Sequence, residues 1–406
     1  FIRDCTIGFE DGRLGFLLFE EQEDDAHDEP FKVRLLAVKL TNPVETRFFS
    51  MSTNTLGLGS DLCSAWAPDH SEFVAVGIGR EAYGYKPKVH KGQESRIPFH
   101  GGEEPHPVSG LQYDSIVLRT ARAGTTVFAV GAPFRVYERQ GPDQWLEHTA
   151  IPLPEGLGSS DPELAKETLW RSNFHDLAGL SAQDLYVVGS GGTAWRRQSG
   201  QWRKLAFPST LDLKTVAVAP DGTAYITDER GHVWQGGDDS WHCVTPRWHG
   251  SYGFLDSAWC AGRLWCTGDT GGCYVLQGGT MVLAQDADQH PIPSGLEFSL
   301  VARRLGVSPG GRRVLVAVLS KALGFARGRW TVLFDGEPPA EALADQAVGG
   351  WGPAFYLSPA GSAGLRQPKN SPSSHRFCIG RVGAATWAAS IPSRSMPVSD
   401  FWQIGL

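Results

Sequence analysis

The chain has 406 residues, 41% apolar and 20% charged, with a formal net charge of −7. No apolar run reaches the roughly 20 residues that a membrane-spanning helix needs, and the acidic balance excludes a general nucleic-acid binder, which carries a basic surplus. Forty-nine Gly and 26 Pro exceed the usual share without reaching the level of a disordered chain.

Taken in chain order, Ile2–Gly8 reads as a strand. GFLLF and FKVRLLAV then flank EEQEDDAHDE, Glu20 to Glu29, with seven acids in ten residues. This is a solvated hairpin loop, and Asp24 and Asp25 at its tip offer an electrostatic hook to a basic partner. The spacing and Gly of a calcium loop are missing. EFVAVGIGREAYGY, Glu72 to Tyr85, is a strand–turn–strand unit. The polar stretch from Lys86 to Pro107 reads as an insert loop. Its His90, His100, His106, Glu103 and Glu104 follow no metal-binding spacing. Arg96, in SRIP, resembles the carboxylate-gripping Arg of sialidases, but no intact Asp-box accompanies it.

From Thr126 onward one unit repeats: TVFAVGAPFRVYERQGPDQW (Thr126 to Trp145), DLYVVGSGGTAWRRQSGQW (Asp184 to Trp202), GTAYITDERGHVWQGGDDSW (Gly222 to Trp241), GRLWCTGDTGGCYVLQGG (Gly262 to Gly279) and VLVAVLSKALGFARGRW (Val314 to Trp330). AFYLSPAGSAGL, Ala354 to Leu365, is a fainter copy. Each unit has a buried apolar strand, a Gly-rich turn, a mixed strand, a polar turn and then Trp. That is the grammar of an antiparallel meander, and the Trp fits a gap between sheets where its N–H can reach a partner. Gly189 to Thr227 spans 38 residues and Thr227 to Thr267 spans 40, the period of a four-stranded propeller blade. Two short helices interrupt the series: 162–171, with Asp161 as N-cap and Pro162 in the first turn, and 338–348.

VVGSGGTAWRRQSGQW resembles the repeats of bacterial propellers that read VG-x-GGT-x-x-R-x-x-G-x-W, akin to photosystem-assembly and BNR-type repeats. The resemblance implies an all-β architecture: a single closed β-propeller over residues 1–406, with about seven four-stranded blades. It implies no activity, because such propellers are scaffolds. Closure predicts that Ile2–Gly8 and Phe377–Val382 share a sheet or lie in adjacent ones.

The seven cysteines, at 5, 63, 243, 260, 266, 273 and 378, are odd in number and lack a CxxC corner. Free thiols in a reducing, cytoplasmic compartment are the plain expectation. With Asp269 and Thr270 at a hairpin tip, Cys266 falls opposite Cys273, which opens a disulfide as the alternative. No nucleophile elbow, phosphate loop or triad spacing occurs, and no metal or cofactor is implied.

The turns Ser190–Gly192, Asp228–Gly231, Asp269–Gly271 and Ser320–Lys321, with the crossover Thr245–Gly253, open on one rim. There Trp248, His249, Tyr252, Asp228, Arg230 and Asp269 converge, the residue types that make interface hot spots. The expected function is non-catalytic recognition of another protein, as by a toxin-neutralising immunity protein or an assembly factor. The alternatives are carbohydrate binding by Trp stacking, and a glycosidase or lyase with carboxylates on the rim.

Overall fold

The computed structural model describes residues 2–335 except 10–11, 20–31, 44–45, 54–55, 57–58, 60, 67–70, 101–113, 247–252, 269–271, 288–303 and 319–320. Contacts group residues 1–360 into one unit and 361–406 into a second, and the second lies outside the described residues.

Among the described residues seven four-stranded meanders follow one another. The first is Ile2–Ile7 (β1), Arg13–Phe19 (β2), Val33–Lys39 (β3) and Phe48–Thr53 (β4). The second is Asp61–Trp66 (β5), Ser71–Val76 (β6), Ala82–Lys86 (β7) and His90–Gln93 (β8). Ile116–Ala123 (β9), Thr126–Ala132 (β10), Arg135–Gly141 (β11) and Gln144–Glu147 (β12) form the third. Phe174–Ser181 (β13), Asp184–Gly189 (β14), Ala194–Gln198 (β15) and Gln201–Lys204 (β16) form the fourth. The fifth is Leu213–Val218 (β17), Ala224–Asp228 (β18), Val233–Gly237 (β19) and Ser240–Cys243 (β20). The sixth is Phe254–Cys260 (β21), Arg263–Gly268 (β22), Cys273–Gln277 (β23) and Thr280–Leu283 (β24). Leu305–Val307 (β25), Arg313–Val318 (β26), Lys321–Ala326 (β27) and Arg329–Asp335 (β28) complete the seventh. Every neighbouring pair within a meander is antiparallel, and one parallel contact, Gly179 with Ala123, joins the third to the fourth.

The arrangement is all-β and propeller-like. The first strands pack in order, β1 on β5, then β9, β13, β17, β21 and β25, and β25 and β26 pack back on β1. An apolar cluster lies between each successive pair. Phe128, Val130, Phe174 and Val187 fill the space between the third and fourth meanders, and Ile7, Phe16, Leu315 and Ala322 that between the seventh and first. Burying each Val, Leu, Ile or Phe among them contributes about 1.5–3 kcal/mol.

The apolar run of the repeat is the second strand of each meander. LYVVG lies in β14, buried on both faces. The repeat's tryptophans are wedges between sheets. Trp195 and Trp202 pack between the third and fourth meanders, Trp234 and Trp241 between the fourth and fifth. The indole N–H of Trp241 donates to the Asp238 carbonyl (2.8 Å) and that of Trp265 to the Cys260 carbonyl (3.0 Å). Those of Trp145 and Trp202 are buried without a partner, so apolar volume rather than hydrogen bonding fixes these two wedges.

Pro162–Arg171 (α1) is the helix expected between the third and fourth meanders, with Asp161 accepting from the Glu163 N–H. Ala284–Ala287 (α2) is a single turn after β24. The segments 338–348, Ala354–Leu365 and Phe377–Val382 lie outside the described residues.

Two expectations are corrected. The stretch from Lys86 to Pro107 is not wholly a loop, because His90–Gln93 pairs with β7, Tyr83 opposite Gln93. An outer strand with one wet face tolerates that polar sequence. Cys266 does not face Cys273. Thr267 pairs with Cys273 and Cys266 with Tyr274, which places the thiols in different interfaces, Cys266 with the fifth meander and Cys273 with the seventh. The six described cysteines carry thiols rather than disulfides, and burial pushes the Cys273 thiol up to about 12.

Candidate functional site

The first strand of each meander carries polar residues into the middle of the fold. In four meanders the register breaks at the same place, between Ile2 and Asp4, Phe174 and Asp176, Leu213 and Thr215, and Phe254 and Asp256. A bulge of this kind re-aims the side chain that follows it. Each resulting carboxylate caps a backbone N–H of the next meander: Asp4 accepts from Leu62 (2.7 Å), Asp176 from Val216 (2.9 Å) and Asp256 from Leu305 (2.8 Å). Asp61, at the head of β5, does the same for Thr120 (3.2 Å).

Two arginines tie this ring together. Arg119 donates to Asp176 at 3.0 Å and to Asp256 at 2.6 Å, linking the third, fourth and sixth meanders. Arg304 holds both oxygens of Asp61, at 2.9 and 3.0 Å, and donates to the Leu255 carbonyl at 3.3 Å. Burial alone would lower the Arg119 pKa, but the carboxylates of Asp256 and Asp176 raise it well above its usual value. Four carboxylates share two guanidinium groups, and the excess shows. Burial, then the charge of Asp61, push Asp4 up to about 7, and burial pushes Asp176 up to about 6.

These shifts fix a pH dependence. A carboxyl raised above its ordinary 3.8 keeps its proton in the fold at pH values where the unfolded chain has released it. Stability from this source is therefore greatest at low pH and declines until pH passes the folded value. His175 acts oppositely: burial, then Lys214, lower its pKa, so its contribution is lost below about 6.5. The thermal midpoint is expected to be higher at pH 6.5 than at pH 8. Asp4→Asn should flatten that difference, because the amide oxygen still accepts from Leu62. Differential scanning calorimetry at the two pH values checks it, and an equal slope in the variant would refute the assignment to Asp4.

Every acid in this hub is engaged in bridging meanders. Among the described residues no group of three or more His, Cys, Asp or Glu converges as a metal site. The hub is a clasp.

The surface above it is built by the turns after second strands and by the crossovers between meanders, which hydrogen-bond to each other. Phe134 N–H donates to Ser172 (2.7 Å), Ser190 N–H to Asn173 (2.9 Å) and Glu229 N–H to Asp212 (2.8 Å). Gly192 has φ +73°, and a Cβ there would lie 1.8 Å from the Ser209 carbonyl, so only glycine fits this turn. His175 donates from Nδ1 to the Leu213 carbonyl (2.8 Å), and its Nε2 lies 3.5 Å from Ser190 Oγ. This brace ties the turn to two first strands.

The rim residues expected from the sequence divide. Arg230 is exposed on its turn. Asp228 is not a contact residue: its carboxylate is fully buried. It accepts from the Arg230 and His232 N–H groups (2.9 and 3.0 Å), from the His232 ring (3.0 Å) and from the Trp234 indole (3.2 Å). Short acidic side chains close turns upon their own backbone in this way. Trp248, His249, Tyr252, Asp269, Asp24 and Asp25 lie outside the described residues. The hub itself went unread, although IRDCTI, DLCSAW, FHDLAGL and FLDSAW each carry an Asp near the head of a strand.

No family model matches the chain. It is similar to the immune protein Tsi7 of Pseudomonas aeruginosa, at 25% identity over 164 residues, 40% of this chain and 50% of the relative. The chain thus spans about half the length of the curated relative it matches. A solved structure of YCF48 bound to D1 peptide shares 15% identity with a TM-score of 0.42, covering 65% of this chain and 77% of that one.

Proposed function

We propose that this chain is a closed seven-bladed β-propeller that binds another protein and performs no chemistry of its own, in the manner of a toxin-neutralising immunity protein. The similarity to an immune protein carries this reading. Closure is supported by the packing of β25 and β26 against β1 and by the clasp from Arg304 to Asp61. Protein binding is supported by the division of labour between hub and rim: the hub's charges are spent on cohesion, and the crossovers and turns above it present exposed Arg230, Leu164 and Trp170. A partner docking there would cover roughly 800 Å² per side, with the acidic segment from Glu20 to Glu29 steering a basic partner toward it.

The test is neutralisation. Toxin genes of the native host are expressed in a surrogate cell with and without this chain. One of them is expected to be silenced by it, and the purified pair to co-elute. Alanine at Arg230 and Trp248 together should weaken that complex at least tenfold. If no toxin is silenced while immobilised glycans retain the chain, the carbohydrate-binding alternative replaces this reading.

A further inference from the structure

Among the described tryptophans Trp170 stands apart. Trp265 is fully buried and Trp330 is 7% exposed, whereas Trp170 is 48% exposed and its neighbour on α1, Leu164, 46%. Half of the Trp170 side chain faces solvent, whereas Ala165 is the residue that α1 buries fully. Yet the helix is held firmly. Its start is capped by Asp161. Its end is fixed where Asn173 donates to the Trp170 carbonyl (2.5 Å), and the Ser172 and Asn173 carbonyls accept from Phe134 and Ser190 in the turns of the third and fourth meanders. Thr168 lies over Gly156, where a Cβ would come within 2.2 Å of its hydroxyl. An aromatic side chain presented on a braced element loses little entropy on binding, which is how interface anchors gain affinity.

The charges around it indicate what it would meet. At 100° per residue, Glu163 and Glu167 project between Leu164 and Trp170 on the outward surface. The helix's own cations are taken: Lys166 sits 3.0 Å from Glu163 and Arg171 2.8 Å from Glu167. Glu155 and Asp161 in the same crossover leave an acidic excess. Exposed pairs of this kind are weak, so an incoming cation displaces them at small cost.

We propose that α1 is the anchor of the docking face, and that its partner is a protein surface with an apolar socket for Trp170 bordered by basic side chains; this rests on the protein-binding reading above. The probe is the toxin isolated by neutralisation. p-Benzoylphenylalanine replaces Leu164 or Trp170, with Val89 and Leu146, exposed 62% and 49% but away from the rim, as control positions. Irradiation is expected to attach the toxin at 164 and 170 and not at 89 or 146. Trp170→Ser should lower toxin affinity at least tenfold, with an unchanged thermal midpoint, and raising the salt concentration should weaken the wild-type complex. Attachment at the controls alone, or unchanged affinity in Trp170→Ser while the wild-type chain still neutralises, overturns the role of α1 and leaves protein binding standing. A wild-type chain that neutralises nothing and attaches to nothing overturns both.

Discussion

Arg119→Met is expected to destabilise the fold by about 3–5 kcal/mol, the usual cost of removing one partner from a buried ion pair. The guanidinium lies 3.0 Å from Asp176 and 2.6 Å from Asp256 with 12% of the side chain exposed. Both carboxylates also cap the next meander's first strand, so the loss reaches five meanders, the third to the seventh. Methionine fills the space but leaves two buried anions without their cation. Asp176, which burial already pushes up to about 6, then holds its proton to still higher pH. The penalty is then largest above neutral pH and shrinks as pH falls. Urea midpoints for variant and wild type at pH 8 and pH 5.5 check this. A deficit at pH 8 that narrows at pH 5.5 is expected, and Arg119→Lys should fall between the two, since a point charge cannot span both acids. A pH-independent loss would mean that the volume of the side chain matters and its charge does not.

The second strands of the meanders were legible because burial on both faces writes a continuous apolar run, as in TVFAVGA and RLWCTG. The turns were legible through glycine, and α1 through its Asp–Pro start. Apart from Ile2–Ile7, the first strands were not. FHDLAGLS and FLDSAWC have neither strict alternation nor a continuous apolar face, because a bulge breaks the period just where the hub carboxylate enters. The Cys266–Cys273 pairing failed by one residue. Pairing Cys266 with Tyr274 rather than with Cys273 shifts the register by one and turns each side chain to the opposite face. Asp228 was misjudged for a related reason. A turn carboxylate looks like surface chemistry in a sequence, yet its nearest unsatisfied donors are the N–H groups two and four residues on. Tertiary charge pairing is the hardest to read: Arg119 and Asp256 are 137 residues apart, and nothing local links them.

The same physics predicts a large effect at the edge between the second and third meanders. Arg139, 2% exposed, donates to Glu72 at 2.7 and 3.3 Å and to Glu94 at 2.7 Å, and its guanidinium lies 5.5 Å from the Trp145 ring centre. Glu94 lies so close over β7 that a Cβ on Gly84 would meet its carboxylate at 2.0 Å, and its side chain is fully buried. Arg139→Met should cost about 3–5 kcal/mol. The diagnostic variant is the triple Arg139→Met, Glu72→Leu, Glu94→Leu. A buried ion cluster loses in desolvation much of what it gains in attraction, so an apolar set of similar volume should return the midpoint to within about 1 kcal/mol of wild type. Interaction energies from the full set of single and double variants separate the pairs. Arg119→Met and Arg139→Met should add, because they share no partner. If the triple variant is no more stable than Arg139→Met alone, the arginine acts through its packing on Trp145 rather than through its two carboxylates.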